Sequence, residues 1–307
     1  MTSNEEFHKR ILENKSAVSK SSLISYTSML RNIYYKAHGT NRDDPIDFDW
    51  FFNEREVLKS LEDKEPAVRK TYLSAILALV GKSHKKYNQL LKKDVEVYNK
   101  FVDKQEMTQK QKENWKSFED VKKIVKKYEL QAKQVIKQPS GNAKKDREIM
   151  EDWLILALTT GVYFPPRRSL DWVNMKFRGF SQESEDYNYM DLKKNKFVFN
   201  IYKTANKYGR QEVKIKSRIF KKMIQSYLEM IPDGVDTLLN DLHWEKYTSI
   251  RLTQRLNKIF DSHISTSMLR HIYLSSALKD APPLEHLKEL AKQMGHSIPQ
   301  QLEYIKR

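Results

Sequence analysis

The chain of 307 residues contains no cysteine. That excludes disulfide scaffolds, Cys-ligated zinc, iron–sulfur clusters and thiol nucleophiles together. Glycine is scarce, at eight residues. Neither GxGxxG nor GxxxxGK[ST] occurs, so no nucleotide-cradling loop is expected. No run approaches the roughly 18 consecutive apolar residues of a membrane span, so no membrane association is expected. The opening stretch, MTSNEEFHKR, is polar and acidic, unlike a secretory signal.

What the chain has in excess is positive charge: 56 Lys and Arg against 40 Asp and Glu, a net +16. A surplus of that size repels itself unless a polyanion relieves it. Nucleic acid is the first candidate and anionic membrane the second. The membrane reading needs a local basic cluster, whereas these lysines are spread along the whole chain, mixed with acids. Such a spread suits a broad groove around a duplex. Five Trp, sixteen Tyr and thirteen Phe argue against disorder. At roughly 150 residues per domain the length suggests two domains.

The apolar spacing predicts a mainly helical protein. Helices are expected over 19–37, with Ser19 as N-cap and Gly39 as stop, over 49–61, over 66–80 with Pro66 in the first turn, and over 86–102. The polar run 103–113 reads as a linker. A second unit begins near Trp115, with a helix around Val121–Tyr128, a loop over 138–146 and an apolar helix over 149–162. The one clear strand signal is 196–216, read as a β-hairpin tipped with cations. Helices follow over 217–230, 248–260, 265–278 and 283–294.

Cutting a phosphodiester without a metal takes a nucleophile, cations around the non-bridging oxygens and a proton donor for the leaving oxygen. Arginine suits the cationic role because its planar fork matches phosphate oxygens. Four stretches supply such groups, in one order. Segment 160–172 (TGVYFPPRRSLDW) carries Arg167, Arg168 and Asp171. Lys203 and Thr204 follow in the hairpin. Segment 267–273 (SMLRHIY) carries Ser267, Arg270 and His271. Segment 294–304 (MGHSIPQQLEY) carries His296 and Tyr304. Each alone reads as ordinary structure: a helix-start arginine, a solvated lysine, a salt-bridged arginine, a packed terminal tyrosine.

Together, in this order, they resemble the tyrosine recombinases and integrases. That family's pattern is Thr-Gly-x-x-Arg-x-x-acid, a hairpin Lys often followed by Thr, His-x-x-Arg, Gly-His/Trp, and a Tyr about nine residues later. The stretches QKENW and PPRRSLDW are similar to those of integrase-like recombinases of large DNA viruses and mobile elements. The resemblance implies a helical core-binding domain over 1–107. An α-rich catalytic domain with a small antiparallel β-hairpin or sheet would span 108–307, and in the family the two domains clamp DNA.

The resemblance also assigns roles. Arg168 and Arg270 would hold the scissile phosphate; Arg168 is preferred to Arg167 because it keeps the spacing to Asp171, which would brace it. Lys203 would protonate the leaving 5′ oxygen, with Lys207 as local rival. His296 would donate a hydrogen bond to phosphate, and Tyr304 would be the nucleophile. A tyrosine hydroxyl ordinarily titrates near about 10, so a phenol nucleophile needs cationic surroundings. The implied activity is metal- and ATP-independent strand transfer through a 3′-phosphotyrosyl bond, with no cofactor. The partner is double-stranded DNA, bound by a homotetramer on paired sites wherever that DNA lies inside a cell.

Two departures stand out. Ser267 occupies the usual histidine position, which leaves His271 or His263 to assist. Tyr304 lies eight residues after His296, a shortfall that a one-residue loop deletion explains; failing that, Tyr187, Tyr189 or Tyr273 would have to serve. The alternatives are a catalytically impaired DNA-binding protein on the same fold, or a type IB topoisomerase-like or resolvase activity.

Overall fold

The computed structural model describes residues 2–103, 106–278 and 284–305. The chain divides into two compact units, Met1–Lys104 and Gln105–Arg307. No helix among the described residues is long and apolar enough to cross a membrane.

The first unit is all helical: α1 (Ser3–Asn14), α2 (Lys20–His38), a 3-10 turn (Asp49–Phe52), α3 (Glu54–Lys59), α4 (Pro66–Val80) and α5 (Lys85–Asp103). Ser19 caps α2 by accepting from the Ser22 N–H at 3.2 Å, and Gly39 ends it in the left-handed region, as expected. The single helix expected over 49–61 is instead two short pieces. The chain breaks at Asn53, whose side chain caps α3. Helix α4 is central: Leu73 and Ala75–Val80 are all buried, and it packs against α1, α2 and α5. Arg69 grips the buried Asp94 carboxylate with both prongs, at 2.8 and 2.6 Å, and so locks α4 to α5.

The second unit opens with α6 (Gln109–Asn114), inside the stretch expected as linker. A reciprocal capping box between Thr108 and Gln111 makes so polar a segment helical. Then come α7 (Phe118–Lys137) and α8 (Ala143–Thr159). Helix α8 starts six residues before the expected 149 because Asn142 caps it. Its second half, Met150–Thr159, is buried on every side, which makes it the axis of the core.

After α9 (Ser169–Val173) the chain forms β1 (Met175–Lys176), β2 (Asn188–Asp191) and β3 (Lys196–Phe199). A one-turn helix α10 (Ala205–Tyr208) precedes β4 (Gln211–Lys214). The sheet order is β1-β2-β3-β4, parallel at β1–β2 and antiparallel elsewhere. The expected hairpin is the β3–β4 pair, in register Lys196↔Lys214, but α10 interrupts its connection and Lys203 lies beyond the end of β3. Phe197, Val198 and Phe199 are all buried, so the sheet is covered on both faces here rather than on one. Trp172 of α9 meets Phe197 and Phe199 edge-on at 5.2 Å each. Helices α11 (Arg218–Glu229), α12 (Ser249–Phe260), α13 (Thr266–Ala277), α14 (Leu284–Met294) and α15 (Ile298–Leu302) complete the unit. Pro283, the expected start of the fourteenth helix, lies outside the described residues.

One buried acid in α8 makes stability pH-dependent. Burial raises the Glu151 carboxyl to about 7, against a hydrogen bond from Tyr247 and the charge of Arg147, 3.8 Å away. The native state therefore holds this proton where the unfolded chain has released it, and stability falls as pH rises from about 4.5 to 7. Glu151→Gln removes that loss. Its melting temperature is expected to exceed the wild type's at pH 8, by an amount equivalent to roughly 1–3 kcal/mol, and to match it near pH 4.

Candidate active site

The residues singled out on 160–172, 267–273 and 294–304 come together in the second unit. Helix α8 ends at Gly161, whose φ of +93° suits only glycine. A Cβ there would collide with the Tyr273 ring of α13, so the chain turns tightly against that helix. Pro165 and Pro166 then carry it to the two arginines.

These arginines divide the work, and not as the Arg-x-x-Asp spacing suggested. Asp171 pairs with Arg167, not Arg168: Arg167 Nε donates to Asp171 Oδ2 at 2.9 Å, and both side chains are buried. The reason is local. Arg168 is the N-cap of α9 with extended backbone (φ −70°, ψ 153°), so helical i,i+3 geometry does not apply to it. Arg167 Nη1 also donates to Gln211 Oε1 of β4 at 2.9 Å and to the Gln293 carbonyl of α14. Its guanidinium lies over Phe199 and Tyr202, at 3.9 and 5.0 Å from the ring centroids. Arg167 is thus a strut joining α9, the sheet and the end of α14. Gly295 completes the seat: at φ +68°, a Cβ there would press on Arg167 Nη2 and the Tyr202 ring at 3.3 Å.

Above the strut sits a set of donors with nothing to donate to. Among the described residues, Arg168 Nη1 and Nη2, Arg270 Nε and His296 Nε2 are buried without a hydrogen-bond partner, as is the remaining Nη2 of Arg167. Arg270, on α13, is almost wholly buried, and its hydrogen bond goes to a histidine rather than a carboxylate: Arg270 Nη2 to His296 Nδ1, 3.1 Å. A guanidinium can only donate, so Nδ1 accepts and His296 carries its proton on Nε2. Burial first, then the charges of Arg270, Arg168, Arg167 and Lys203, hold His296 down at about 2, which keeps it neutral. Burial also lowers Arg270 to about 10, still charged at neutral pH. Unpaired buried donors cost free energy, and like charges at close quarters add to it. Such a cluster of donors can receive the oxygens of an anion.

Tyr304 lies against this cluster. Its ring is 4.7 Å from the Arg270 guanidinium carbon, 4.9 Å from the His296 ring and 4.5 Å from the His271 ring. The eight-residue spacing brings the ring back to these residues: Ser297 caps the short α15, Pro299 sits in its first turn, and the chain returns at once. Lys203 is exposed, but the next residue, Thr204, donates from Oγ1 to the Gly295 carbonyl at 2.7 Å, which ties the lysine's turn to His296. Lys207 is exposed on α10 and lies over its neighbour Tyr208, 5.3 Å from the ring centre. Ser267, exposed on α13, lines a cleft of about 330 Å³ with His263 and His271. Of the substitute tyrosines, Tyr189 is buried against Phe180 and Tyr273 packs on Phe118. The Tyr187 hydroxyl is held by the Ser181 backbone.

Two site residues had no sequence signal strong enough to find. Asn188 of β2 is fully buried. It donates to the carbonyls of Asp171 and Ile201 and accepts from the N–H groups of Asn200 and Ile201, pinning α9 to the turn before Lys203. Gln211 is the second, through Arg167. Both stand at the first position of short strands, Asn188 of NYMD and Gln211 of QEVK, where a polar side chain draws no attention.

No protein-family model and no curated protein matches the chain. The fold is that of tyrosine recombinases. A XerH site-specific recombinase bound to difH substrate in a pre-cleavage complex is similar with a TM-score of 0.52, at 13% identity, over 99% of this chain and 92% of that one. Two others are a XerA recombinase (0.41, 13%, 98% and 94%) and the Tn1549 transposon integrase with a circular intermediate DNA (0.43, 14%, 100% and 96%). At these identities the likeness is one of fold.

The division between the arginines is testable by stability alone. Arg167→Ala leaves Asp171 buried without its partner and is expected to cost about 3–5 kcal/mol. Arg168→Ala removes an unpaired cation and is expected to leave the melting temperature unchanged or raised. Urea unfolding of the two variants reads the difference.

Proposed function

We propose that the chain is a tyrosine recombinase or integrase: a DNA-binding enzyme that cleaves and rejoins duplex DNA through a covalent 3′-phosphotyrosyl intermediate. The observation that carries this is the convergence of unsatisfied donors from Arg168, Arg270 and His296, three segments far apart in sequence, beside the ring of Tyr304. A phosphodiester supplies the missing acceptors. The surplus of sixteen positive charges suits the rest of the duplex.

In this reading Arg168 and Arg270 bind the non-bridging oxygens and stabilise the added charge of the pentacoordinate transition state. His296 donates from Nε2 to one of the same oxygens. Tyr304 first swings its ring off Arg270, uncovering the seat. Its hydroxyl gives up its proton to water in the field of Arg168, Arg270 and Lys203; the oxygen then bonds to phosphorus as the bond to the 5′ oxygen breaks, and Lys203 gives that leaving oxygen a proton. Attack by a 5′ hydroxyl from a second DNA reverses the step and exchanges strands. The phosphotyrosyl link conserves the bond energy, so neither ATP nor a metal is called for. Residues 1–107 would serve as core-binding domain and 108–307 as catalytic domain, with a homotetramer pairing two sites. Arg167 and Asp171 are support, and Lys207 ranks behind Lys203 because Thr204 anchors the latter's turn beside His296.

The test is a nicked suicide substrate built on a site selected from a random duplex library by binding. Wild type is expected to trap a protein–DNA adduct in EDTA and without ATP, while Tyr304→Phe binds the DNA and traps none. An adduct from Tyr304→Phe would refute the nucleophile assignment. Lys203→Ala is expected to trap slowly on ordinary DNA and to recover on a substrate with sulfur in place of the 5′-bridging oxygen, which leaves without needing a proton.

A further inference from the structure

We infer that His271 is a positioning residue: it fixes the main chain at Tyr304 so that the phenol reaches the phosphate seat of its own chain. The inference rests on Tyr304 being the nucleophile.

The contact is direct. His271 Nδ1 lies 2.7 Å from the Tyr304 carbonyl oxygen. A carbonyl can only accept, so Nδ1 is the donor. The two rings also lie 4.5 Å apart, tilted by 49°. His271 follows Arg270 directly on α13. Two consecutive residues of one helix thus hold Tyr304 from two sides: Arg270 against its ring, His271 on its backbone.

The surrounding anchors are few, which is why this one counts. Tyr304 follows a helix of five residues. Its own N–H donates to the Gln301 carbonyl at 3.1 Å, a local turn that does not fix it to the rest of the unit. Ile305 adds a buried contact in a small cluster with Leu274, Leu278, Leu290 and Met294. The His271 bond ties the tyrosine's main chain by a directional interaction to the helix that carries the phosphate-binding arginine. During attack the ring must leave Arg270. A fixed carbonyl confines that motion to side-chain rotation, so the oxygen sweeps a short arc over the seat. Without the anchor, the whole terminal turn shares the motion and the reactive geometry is seldom reached.

Because this is a claim about geometry, the expected signature is a loss of chemistry with binding intact. His271→Ala should trap adduct on the suicide substrate about 100-fold more slowly, the loss typical of a misplacement near 1 Å. Its affinity for the uncut DNA and its melting temperature should equal the wild type's. His271→Asn keeps an N–H donor near the Nδ1 position and should restore most of the rate. Trapping by His271→Ala at the wild-type rate overturns the inference. So does failure of Asn to recover any rate, or a matching loss of DNA affinity and stability in both variants, which is what a merely structural residue would give. If the wild type itself traps nothing, the nucleophile assignment has failed and this role falls with it.

Discussion

Two arginines and a neutral histidine hold buried N–H groups that the folded chain leaves without acceptors. Left alone, such an arrangement would be expected to relax: guanidinium groups repel, and unpaired donors seek water or carbonyls. It persists because the protein over-determines it from below. Arg167 makes a rigid floor: its Nε and Nη1 are held by Asp171, Gln211 and the Gln293 carbonyl, and its guanidinium lies over two aromatic faces. The cost of these unpartnered donors is offset by packing elsewhere in the second unit, where the second half of α8 and strands β2 and β3 are largely buried. In the proposed function, a phosphate would recover on binding the stability set aside here.

The same floor fixes the chemistry of its neighbours. Arg270 donates to His296 Nδ1, which places the histidine proton on Nε2, facing outward to the seat. Had a carboxylate paired with Arg270, the histidine would be free to take up either tautomer and the seat would be part-neutralised. Asn188 and Thr204 extend the scaffold to the turn that bears Lys203, so groups from four segments are registered to one frame.

Much of this was legible in the sequence, in unequal measure. Helices with strong caps and stops, such as Lys20–His38 between Ser19 and Gly39, were readable because the signals are local. The candidate site residues were readable through short spacings: Gly-His, then a tyrosine a few residues on. What was missed depends on backbone geometry and capping that the apolar pattern does not show. The Arg-x-x-Asp spacing pointed to Arg168 as the braced residue, but only the backbone at the N-cap decides which arginine meets Asp171. Strands β1 and β2 are two and four residues long, and β2 is buried throughout, so no alternation marks them. The helix Gln109–Asn114 carries no apolar stripe; its one signal, Thr108-x-x-Gln111, is a capping box that a reading for hydrophobicity passes over.

The most direct measurement is the structure of the protein bound to a DNA half-site with orthovanadate, a mimic of pentacoordinate phosphorus. The account predicts vanadium in the seat. Its equatorial oxygens would accept from Arg168, Arg270 and His296 Nε2, with the Tyr304 oxygen apical and Arg167 unmoved on Asp171. Vanadate coordinated by Arg167 instead, or an apical position filled by any group other than Tyr304, would contradict it.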